Sequence, residues 1–341
     1  MPTTTKVPHD APLRAVLLRT TTLRTTTLGA ATLGAALLAL AGCSGDAPPT
    51  SPTATPTVLA PDVSAAPPAI EPGSTGTVAL GDRPFALTVP DGYDPATPVP
   101  LVVGLHGYTS KSADLVQYLG LDAQSQSEGF LLAAPDGTTD AHDAPFWNAT
   151  NACCNFFGAG IDDSAYLADV IATVEAQYAV DPARVVVVGH SNGGFMALRM
   201  ACEHADVVTA VASIAGAQVL DPADCDPARP VNVLQVHGSS DETIAYDGGS
   251  NGGGRQYPGA VGTVEAWRAL DGCTAEPQDG EPLDLEAARE GAETSVRTSP
   301  GCADGTEVAL WTIDGGRHVP TWTDAGREAI VGWLLDHPRE G

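Results

Sequence analysis

The sequence is poor in cationic side chains. Its 341 residues hold 16 Lys and Arg against 42 Asp and Glu, which gives a formal net charge of −26 at pH 7. A surface this acidic repels phosphate backbones and anionic lipid headgroups, so we expect no nucleic-acid partner and no strongly anionic substrate. Beyond residue 42 the only lysine is Lys111. The simplest effect of the excess negative charge is solubility.

The sequence also lacks an apolar run long enough for a stable membrane span. Leu28–Gly42 contains several Gly and Ala residues and is shorter than the roughly 20 apolar residues that a span needs. It follows a basic stretch, and a basic stretch followed by an apolar run and small residues is typical of an export signal. The basic residues are Lys6, Arg14, Arg19 and Arg24. Residues 1–42 are therefore predicted to be a signal peptide.

The signal is followed by a cysteine and a proline-rich stretch. Leu40-Ala41-Gly42-Cys43 resembles the lipobox of bacterial lipoproteins, which implies that Cys43 carries lipid; the alternative is an ordinary cleavage site that lies beside a cysteine. Residues 43–74 are rich in Pro, Ala and Thr, a composition that favours an extended tether. We therefore expect an exported chain, lipid-anchored to the outer face of the cell membrane or secreted, with a folded domain at 75–341.

No paired C-x-x-C or Cys/His spacing is present, so we predict no metal site. Six cysteines follow Cys43, and an even number in an exported chain favours disulfides. Proximity in the chain favours the pairs Cys202–Cys225 and Cys273–Cys302. That choice leaves Cys153 and Cys154 either to form a vicinal ring or to stay reduced.

The chain has no internal repeat of 20–50 residues, which argues against a solenoid. Instead, apolar runs typical of strands buried on both faces alternate with amphipathic stretches of helical spacing. The predicted strands include Val99–Leu105, Val185–Gly189, Val231–Val236 and Thr306–Ile313. The predicted helices include Asp163–Tyr178, Asn192–Ala201 and Val261–Leu270. This alternation predicts a single α/β domain with a doubly wound, mostly parallel sheet.

The stretch Gly189-His190-Ser191-Asn192-Gly193 contains the motif Gly-x-Ser-x-Gly. It lies between a predicted strand and a predicted helix, the context of the nucleophile elbow of α/β hydrolases. A nucleophile on so tight a turn needs neighbours without side chains, a need that Gly189 and Gly193 meet. We therefore predict Ser191 as the nucleophile. The alternative is a glycine-rich turn with an idle serine.

A serine needs a base, and in α/β hydrolases the acid and then the histidine follow the nucleophile. Of the histidines after Ser191, His318 follows a predicted last strand and a Gly-Gly loop, so His318 is the predicted base. His237 is expected to shape the loop that holds the acid. Asp241 directly follows a predicted strand and is the predicted acid, with Glu242 and Asp247 as rivals.

An oxyanion hole needs two backbone N–H donors. One is expected from Asn192, the residue after the nucleophile, and the other from Tyr108, which follows His106-Gly107 at the end of a predicted strand. His106 is expected to brace that loop. Trp147 and Tyr108 are predicted to offer apolar faces to a substrate.

Taken together, these motifs resemble the poly(3-hydroxybutyrate) depolymerase and feruloyl esterase-like family, a branch of carbohydrate esterase family 1 that includes LpqC-like lipoproteins. The resemblance covers residues 75–335 and rests on His106-Gly107-Tyr108, Trp147-Asn148, Cys153-Cys154, Ile161-Asp162-Asp163, Gly189–Gly194, His237-Gly238, Asp241 and Gly315-Gly316 before His318. It implies an α/β-hydrolase fold, no cofactor, and a triad at Ser191, Asp241 and His318. The family often has a histidine-tryptophan-proline run at the base; here it reads His318-Val319-Pro320, with Trp322 displaced, which predicts a different pocket wall.

The expected function is hydrolysis of carboxylic esters through an acyl-enzyme, by a monomer. The substrate is predicted to be a polyhydroxyalkanoate polyester or oligomer, or a hydroxycinnamoyl ester. The alternatives are a short-chain esterase, a peptidase, and a binding lipoprotein that has lost catalysis. The glycine-rich loop Asp247–Arg255 is expected to be too flexible to hold tight geometry, either as a mobile rim of the cleft or as a surface insertion.

Overall fold

A ten-stranded sheet forms the centre of residues 70–340, the part of the chain that the computed structural model describes. In chain order, the strands of the described range, in this sheet and outside it, are β1 Ser74–Val78, β2 Phe85–Val89, β3 Val99–Leu105, β4 Leu131–Ala134, β5 Thr138–Thr139, β6 Pro145–Phe146, β7 Val180–His190, β8 Ala210–Ile214, β9 Asn232–Gly238, β10 Gly248–Ser250, β11 Gln256–Pro258, β12 Gln278–Asp279, β13 Thr294–Ser299 and β14 Val308–Ile313. The α-helices in this range are α1 Ser112–Leu119, α2 Leu121–Glu128, α3 Asp163–Gln177, α4 Asn192–Glu203, α5 Ala260–Leu270 and α6 Asp324–Leu335.

The sheet has the strand order β1-β2-β4-β3-β7-β8-β9-β14-β13-β12. The six inner strands, from β4 to β14, run parallel, and the strands at both edges are antiparallel. This arrangement confirms the predicted fold class, a mostly parallel doubly wound sheet in a single domain. The small hairpins β5–β6 and β10–β11 lie outside the main sheet.

Alternating residues of the inner strands fill two apolar layers, one on each face of the sheet. In β3, Leu101 and Val103 belong to one buried cluster and Val102 to the other. Helices α3, α4 and α5 cover the first face, and α1, α2 and α6 cover the second. Because both faces are buried, these strands need the continuous apolar runs seen in the sequence.

The chain order reverses between β3 and β7, since β3 pairs with β4 on one side and with β7 on the other. In open α/β sheets, ligands bind beyond the carboxyl ends of the strands at such a switch point. Leu105 is paired with Gly189 at this end of the two strands. The loop that begins at His106 therefore lies beside the turn that carries Ser191.

Three disulfides are present in the described range: Cys202–Cys225, Cys273–Cys302 and Cys153–Cys154. Both pairs predicted from chain proximity are confirmed. Of the two alternatives for Cys153 and Cys154, the structure shows the vicinal disulfide. Disulfides persist in oxidising compartments, so this content fits an exported protein. Within residues 70–340 no helix is both long and apolar enough to cross a membrane. The predicted signal peptide and Cys43 lie outside the described residues.

Two segments differ from expectation. Ile70 packs against the core, and the Gly73 amide donates to the Val89 carbonyl at 2.9 Å, so the folded part begins before residue 75. The glycine-rich loop at 247–255 forms the β10–β11 hairpin, and Asn251 Nδ2 donates to the Ala152 carbonyl at 2.9 Å. Strand pairing and this contact give the segment a defined geometry that its glycine content did not predict.

Candidate active site

Ser191 occupies a sharp turn between β7 and α4. Its φ of 56° and ψ of −119° place it in a region that residues with a side chain rarely adopt. The turn closes so tightly that a Cβ at Gly189 would overlap the Gly193 carbonyl, and a Cβ at Gly193 would overlap the carbonyl of Leu105. Because neither backbone can yield, both positions require glycine. This is the geometry that the Gly-x-Ser-x-Gly motif predicts.

The two residues predicted to form the oxyanion hole lie close to Ser191. Asn192 begins α4, and the first N–H groups of a helix have no acceptor within the helix. Gly107 lies against the serine: a Cβ at this glycine would be 3.4 Å from Ser191 Cβ. The next residue is Tyr108. The structure therefore brings both predicted oxyanion residues to the nucleophile.

His318 reaches Ser191 from the loop after β14. Its Nε2 is 2.9 Å from Ser191 Oγ, and its Nδ1 is 2.7 Å from Asp241 Oδ2. Because an ionised carboxylate only accepts, Nδ1 carries the proton and Nε2 is free to accept from the serine hydroxyl. The predicted base, acid and nucleophile thus form one hydrogen-bonded series, although they lie far apart in the chain.

Asp241 is buried and fully engaged by hydrogen bonds. Its Oδ1 accepts from the amides of Thr243 at 2.8 Å and Ile244 at 2.9 Å. Burial by itself would raise the pKa of this carboxyl, but hydrogen bonds from His237 and His318 and from the backbone hold the pKa well below its usual range. Asp241 is therefore an anion at neutral pH. The rival acids Glu242 and Asp247 are exposed.

His190 was not recognised from the sequence as part of the site. Its Nε2 donates to the backbone carbonyl of His318 at 2.8 Å, and its ring lies 5.1 Å from the His318 ring. Burial lowers the pKa of His190 to about 4, so the ring is neutral at pH 7. The contact joins residues 128 positions apart, and no local pattern announces it.

His106 braces the loop that carries Tyr108, as expected. Its Nδ1 donates to the Gly107 carbonyl at 2.7 Å, and its Nε2 accepts from the Gly137 amide at 2.9 Å. The side chain is fully buried, and burial lowers its pKa. His106 is thus a neutral brace and is too enclosed to act as a base.

A cleft of about 390 Å³ opens beside Ser191. Its wall is mainly apolar, and it runs along the first turns of α1. Lys111 is the exposed N-cap residue of α1 and directly follows Ser110, which lines the cleft. The lining residues are Gly107, Tyr108, Ser110, Asp114, Leu115, Tyr118, His190, Ser191, His318 and Val319. Of these, sequence reasoning found the catalytic candidates and Tyr108 but missed Leu115 and Tyr118, whose α1 helix it did not assign.

Trp147 does not line the cleft, and its prediction as a substrate-binding residue is wrong. Its side chain is fully buried, and its Nε1 donates to the His106 carbonyl at 3.0 Å. The Asn192 side chain bonds the backbone of Trp147 twice: its Oδ1 accepts from the Trp147 amide at 2.7 Å, and its Nδ2 donates to the Trp147 carbonyl at 2.9 Å. The indole therefore supports the site from within the core.

The other predicted substrate residue, Tyr108, does line the cleft. Its hydroxyl donates to Asp140 Oδ2 at 2.6 Å, and this hydrogen bond raises the pKa of Tyr108 to about 12. Val319, which stands where the family often has tryptophan, is 60% exposed, while Trp322 is buried. Val319 therefore forms the part of the pocket wall beside the base.

A second cavity of about 270 Å³ also adjoins His318. It shares His318 and Val319 with the apolar cleft, and its other lining residues are Ser240, Glu242, Thr243 and Arg317. His318 and Val319 therefore border both cavities, and the second one also holds the charged side chains of Glu242 and Arg317.

Fold and site together define a carboxylic ester hydrolase of the α/β-hydrolase superfamily. A model of the family described as "Putative esterase" matches residues 78–252, and the chain belongs to this esterase family. The chain is 30% identical to "Putative esterase NocK" of Nocardia uniformis, over 76% of this chain and 75% of that protein.

Feruloyl esterases are further relatives. Feruloyl esterase C of Emericella nidulans is 28% identical over 71% of this chain and 79% of its own length. Feruloyl esterase B of Piromyces equi is 26% identical over 74% of this chain, which spans 44% of that protein. Among solved structures, the acetyl xylan esterase from Aspergillus awamori matches with a TM-score of 0.54 at 16% identity, over 76% of this chain and 100% of its own. That likeness supports the fold.

Proposed function

We propose that the protein hydrolyses carboxylic esters by a two-step acyl transfer at Ser191. The observation that carries this proposal is the hydrogen-bonded series from Ser191 Oγ through His318 to Asp241, at 2.9 and 2.7 Å. His318 Nε2 takes the serine proton as the hydroxyl attacks the ester carbonyl, and Asp241 stabilises the imidazolium that forms. His318 then gives that proton to the leaving alcohol. Water attacks the acyl-enzyme by the same route and regenerates the serine.

In this proposal the amides of Asn192 and Tyr108 hold the oxyanion. Their support is the position of Asn192 at the start of α4 and the close approach of Gly107 to Ser191. Donors of this kind are already oriented before the reaction, so they stabilise the developing charge without reorganisation. The positive end of the α4 dipole acts in the same direction.

We propose a hydroxycinnamoyl ester as the substrate. The apolar cleft with Leu115 and Tyr118 suits an aromatic acyl group, and the charged side chains of Arg317 and Glu242 in the second cavity suit a hydroxyl-rich alcohol. A polyhydroxyalkanoate presents similar units on both sides of the scissile bond, so it matches this asymmetry less well. The feruloyl esterase relatives favour the same substrate class.

The mechanism is tested by Ser191→Ala. Removing a triad serine costs about 10⁶-fold in kcat in a well-studied protease, and we expect a loss of at least about 10⁴-fold here. The assay is hydrolysis of p-nitrophenyl acetate, together with labelling by a fluorophosphonate probe, which requires an activated serine. A variant that retained wild-type turnover would disprove the mechanism, and an unlabelled wild-type protein would favour a binding lipoprotein.

The substrate proposal needs a separate comparison. Methyl ferulate, hydroxybutyrate oligomers, p-nitrophenyl esters of rising chain length and the matching anilide are given to the wild-type enzyme. We expect the highest kcat/KM for methyl ferulate and little turnover of the anilide. Preference for the oligomers would identify a depolymerase, a flat profile would identify a short-chain esterase, and anilide turnover would identify a peptidase.

We also propose that the enzyme works as a monomer that a lipid on Cys43 holds at the outer face of the membrane. The support is the lipobox-like sequence and the disulfide content. In a bacterial host, Cys43→Ser is expected to abolish incorporation of a labelled fatty acid and to release the enzyme from the membrane fraction. Unchanged fractionation of this variant would contradict the anchor, and light scattering tests the monomer.

A further inference from the structure

A second histidine contacts the carboxylate of the proposed triad. His237 Nε2 is 2.8 Å from the Ile244 carbonyl and 3.3 Å from Asp241 Oδ2. Both partners are acceptors, so Nε2 carries a proton and donates to them. Oδ2 of Asp241 therefore lies between two imidazole N–H groups, that of His237 and that of His318.

Gln235 fixes the protonation of His237. Its Nε2 is 2.9 Å from the Gly216 carbonyl and 3.1 Å from His237 Nδ1. Because the carbonyl requires a donor, the amide NH₂ faces this way and also presents an N–H to Nδ1, which must accept. If Nδ1 carried a proton, its N–H would point at the N–H of Gln235, and two donors would face each other. Turning the amide would instead set its oxygen against the Gly216 carbonyl.

We infer that Gln235 and His237 are positioning residues. Together they hold Asp241 through two successive hydrogen bonds, from Gln235 to His237 and from His237 to Asp241, which we call the relay. With Nδ1 accepting from Gln235, His237 donates to Asp241 through Nε2 and places no positive charge beside the carboxylate. Together with the Thr243 and Ile244 amides on Oδ1, the relay prevents the carboxylate from rotating. This inference rests on the proposed function, because it assigns a role to residues that act through the triad.

Few titratable groups face the relay. In the part of the chain that the structure describes, they are Asp241, His318 beyond it, His190 against the His318 ring, and Tyr246, whose ring centroid is 5.8 Å from that of His237. Gln235 and His237 are both buried. A change in the charge of His237 is therefore transmitted mainly to Asp241.

The first test is His237→Leu, measured as the pH dependence of kcat and of kcat/KM on a p-nitrophenyl ester. Misplacing a catalytic group by about 1 Å costs up to 10²-fold, so we expect kcat to fall 10- to 100-fold with little change in KM. Without the His237 donor, Asp241 binds the His318 imidazolium more strongly, so the acid limb of the profile moves to higher pH. His237→Gln, which keeps a donor at this position, is expected to restore most of the activity.

Gln235→Glu is expected to shift the acid limb of the pH profile in the opposite direction. A carboxylate beside Nδ1 stabilises a second proton on His237, which then neutralises Asp241 from the far side. The acid limb is expected to move to lower pH, again with reduced kcat. His204→Leu is the matched control: this half-buried histidine bonds Ser164 Oγ at 2.9 Å and lies away from the site. His204→Leu should lower stability and leave the acid limb of the pH profile in place.

Three outcomes would overturn the inference: a wild-type profile in His237→Leu, equal damage from the Leu and Gln variants, or shifts of the same sign in His237→Leu and Gln235→Glu. Failure of the proposed function is recognised separately, by esterase activity that survives in Ser191→Ala. If His237→Leu does not fold, Gln235→Glu and His237→Gln decide, because both retain polar side chains of similar size: an acid limb in Gln235→Glu that stays in place or moves to higher pH, or a loss of kcat of about 100-fold in His237→Gln, would then overturn the inference.

Discussion

The two halves of the candidate site are held in place by different means. The nucleophile turn, residues 189–194, is shaped by backbone packing, since glycines let β7 and α4 contact the end of β3. The loops that carry Asp241 and His318 are instead fixed by side-chain hydrogen bonds from His190 and His237. A side chain added in the nucleophile turn removes the first kind of support completely, because the backbone it meets cannot move aside. The second can be lost in steps, one hydrogen bond at a time.

The largest effect is expected from adding a methyl group to the nucleophile turn. In Gly193→Ala the new Cβ would overlap the Leu105 carbonyl, so we expect no folded, active protein. Circular dichroism and ester turnover measure this. The matched control is Gly332→Ala in α6, where a Cβ meets no atom within 4 Å and Ala is favoured by about 1 kcal/mol. A folded Gly193→Ala protein would end the distinction between the two kinds of support.

Asp241→Asn comes next, with a large loss of activity in an intact fold. The amide cannot stabilise the imidazolium and favours the wrong tautomer of His318, a change that costs about 10⁴-fold in kcat in a serine protease. Thermal unfolding and kcat are both measured. Glu242→Gln, on the exposed neighbouring acid, should leave kcat unchanged. The reverse result would make Glu242 the acid.

His190 is expected to make stability depend on pH. Its folded-state pKa of about 4 lies below its unfolded value of 6.5, so the unfolded state binds the proton first as the pH falls. Stability is thus lost between pH 6.5 and pH 4, by up to about 3 kcal/mol.

Urea unfolding at pH 7.5 and 4.5 compares the wild type with His190→Gln, which keeps a donor for the His318 carbonyl but does not titrate. The wild type should lose more stability between the two values. Equal losses would show that His190 is not responsible.

Tyr108→Phe should have the smallest effect. The proposal uses the backbone amide of Tyr108, while its hydroxyl bonds only Asp140 among the described residues. We expect kcat to change less than about threefold, because the lost hydrogen bond, to the Asp140 carboxylate, contributes to stability and involves none of the reacting atoms. Steady-state kinetics on p-nitrophenyl acetate measure this. A 100-fold loss would mean that the hydroxyl takes part in the reaction.

The same division explains what could be predicted from the sequence. The nucleophile turn depends on residues adjacent in the chain, so the spacing of Gly189, Ser191 and Gly193 announces it. The places of Asp241 and His318 followed from the strands that precede them. By contrast, the contacts of His190 and Tyr118 depend on the distant loop at 318–320, and nothing local marks them.

Burial was the main source of error. An aromatic residue in a loop can face either a pocket or the core, and the sequence does not distinguish the two for Trp147. The buried carbonyl of His106 accepts its indole N–H, which decides for the core. The β10–β11 hairpin was missed because glycine-rich segments have weak strand preference, and its contact with Ala152 is long-range.

The position of Lys111 has a practical consequence. It is the only lysine among residues 70–340, and it is the N-cap residue of α1, next in the chain to the cleft residue Ser110. Amine-directed dyes or surface coupling would therefore attach within the folded domain at one point, one residue from the lining of the cleft. A fluorophore placed there would sense occupancy of the cleft, whereas immobilisation through the same amine would obstruct it.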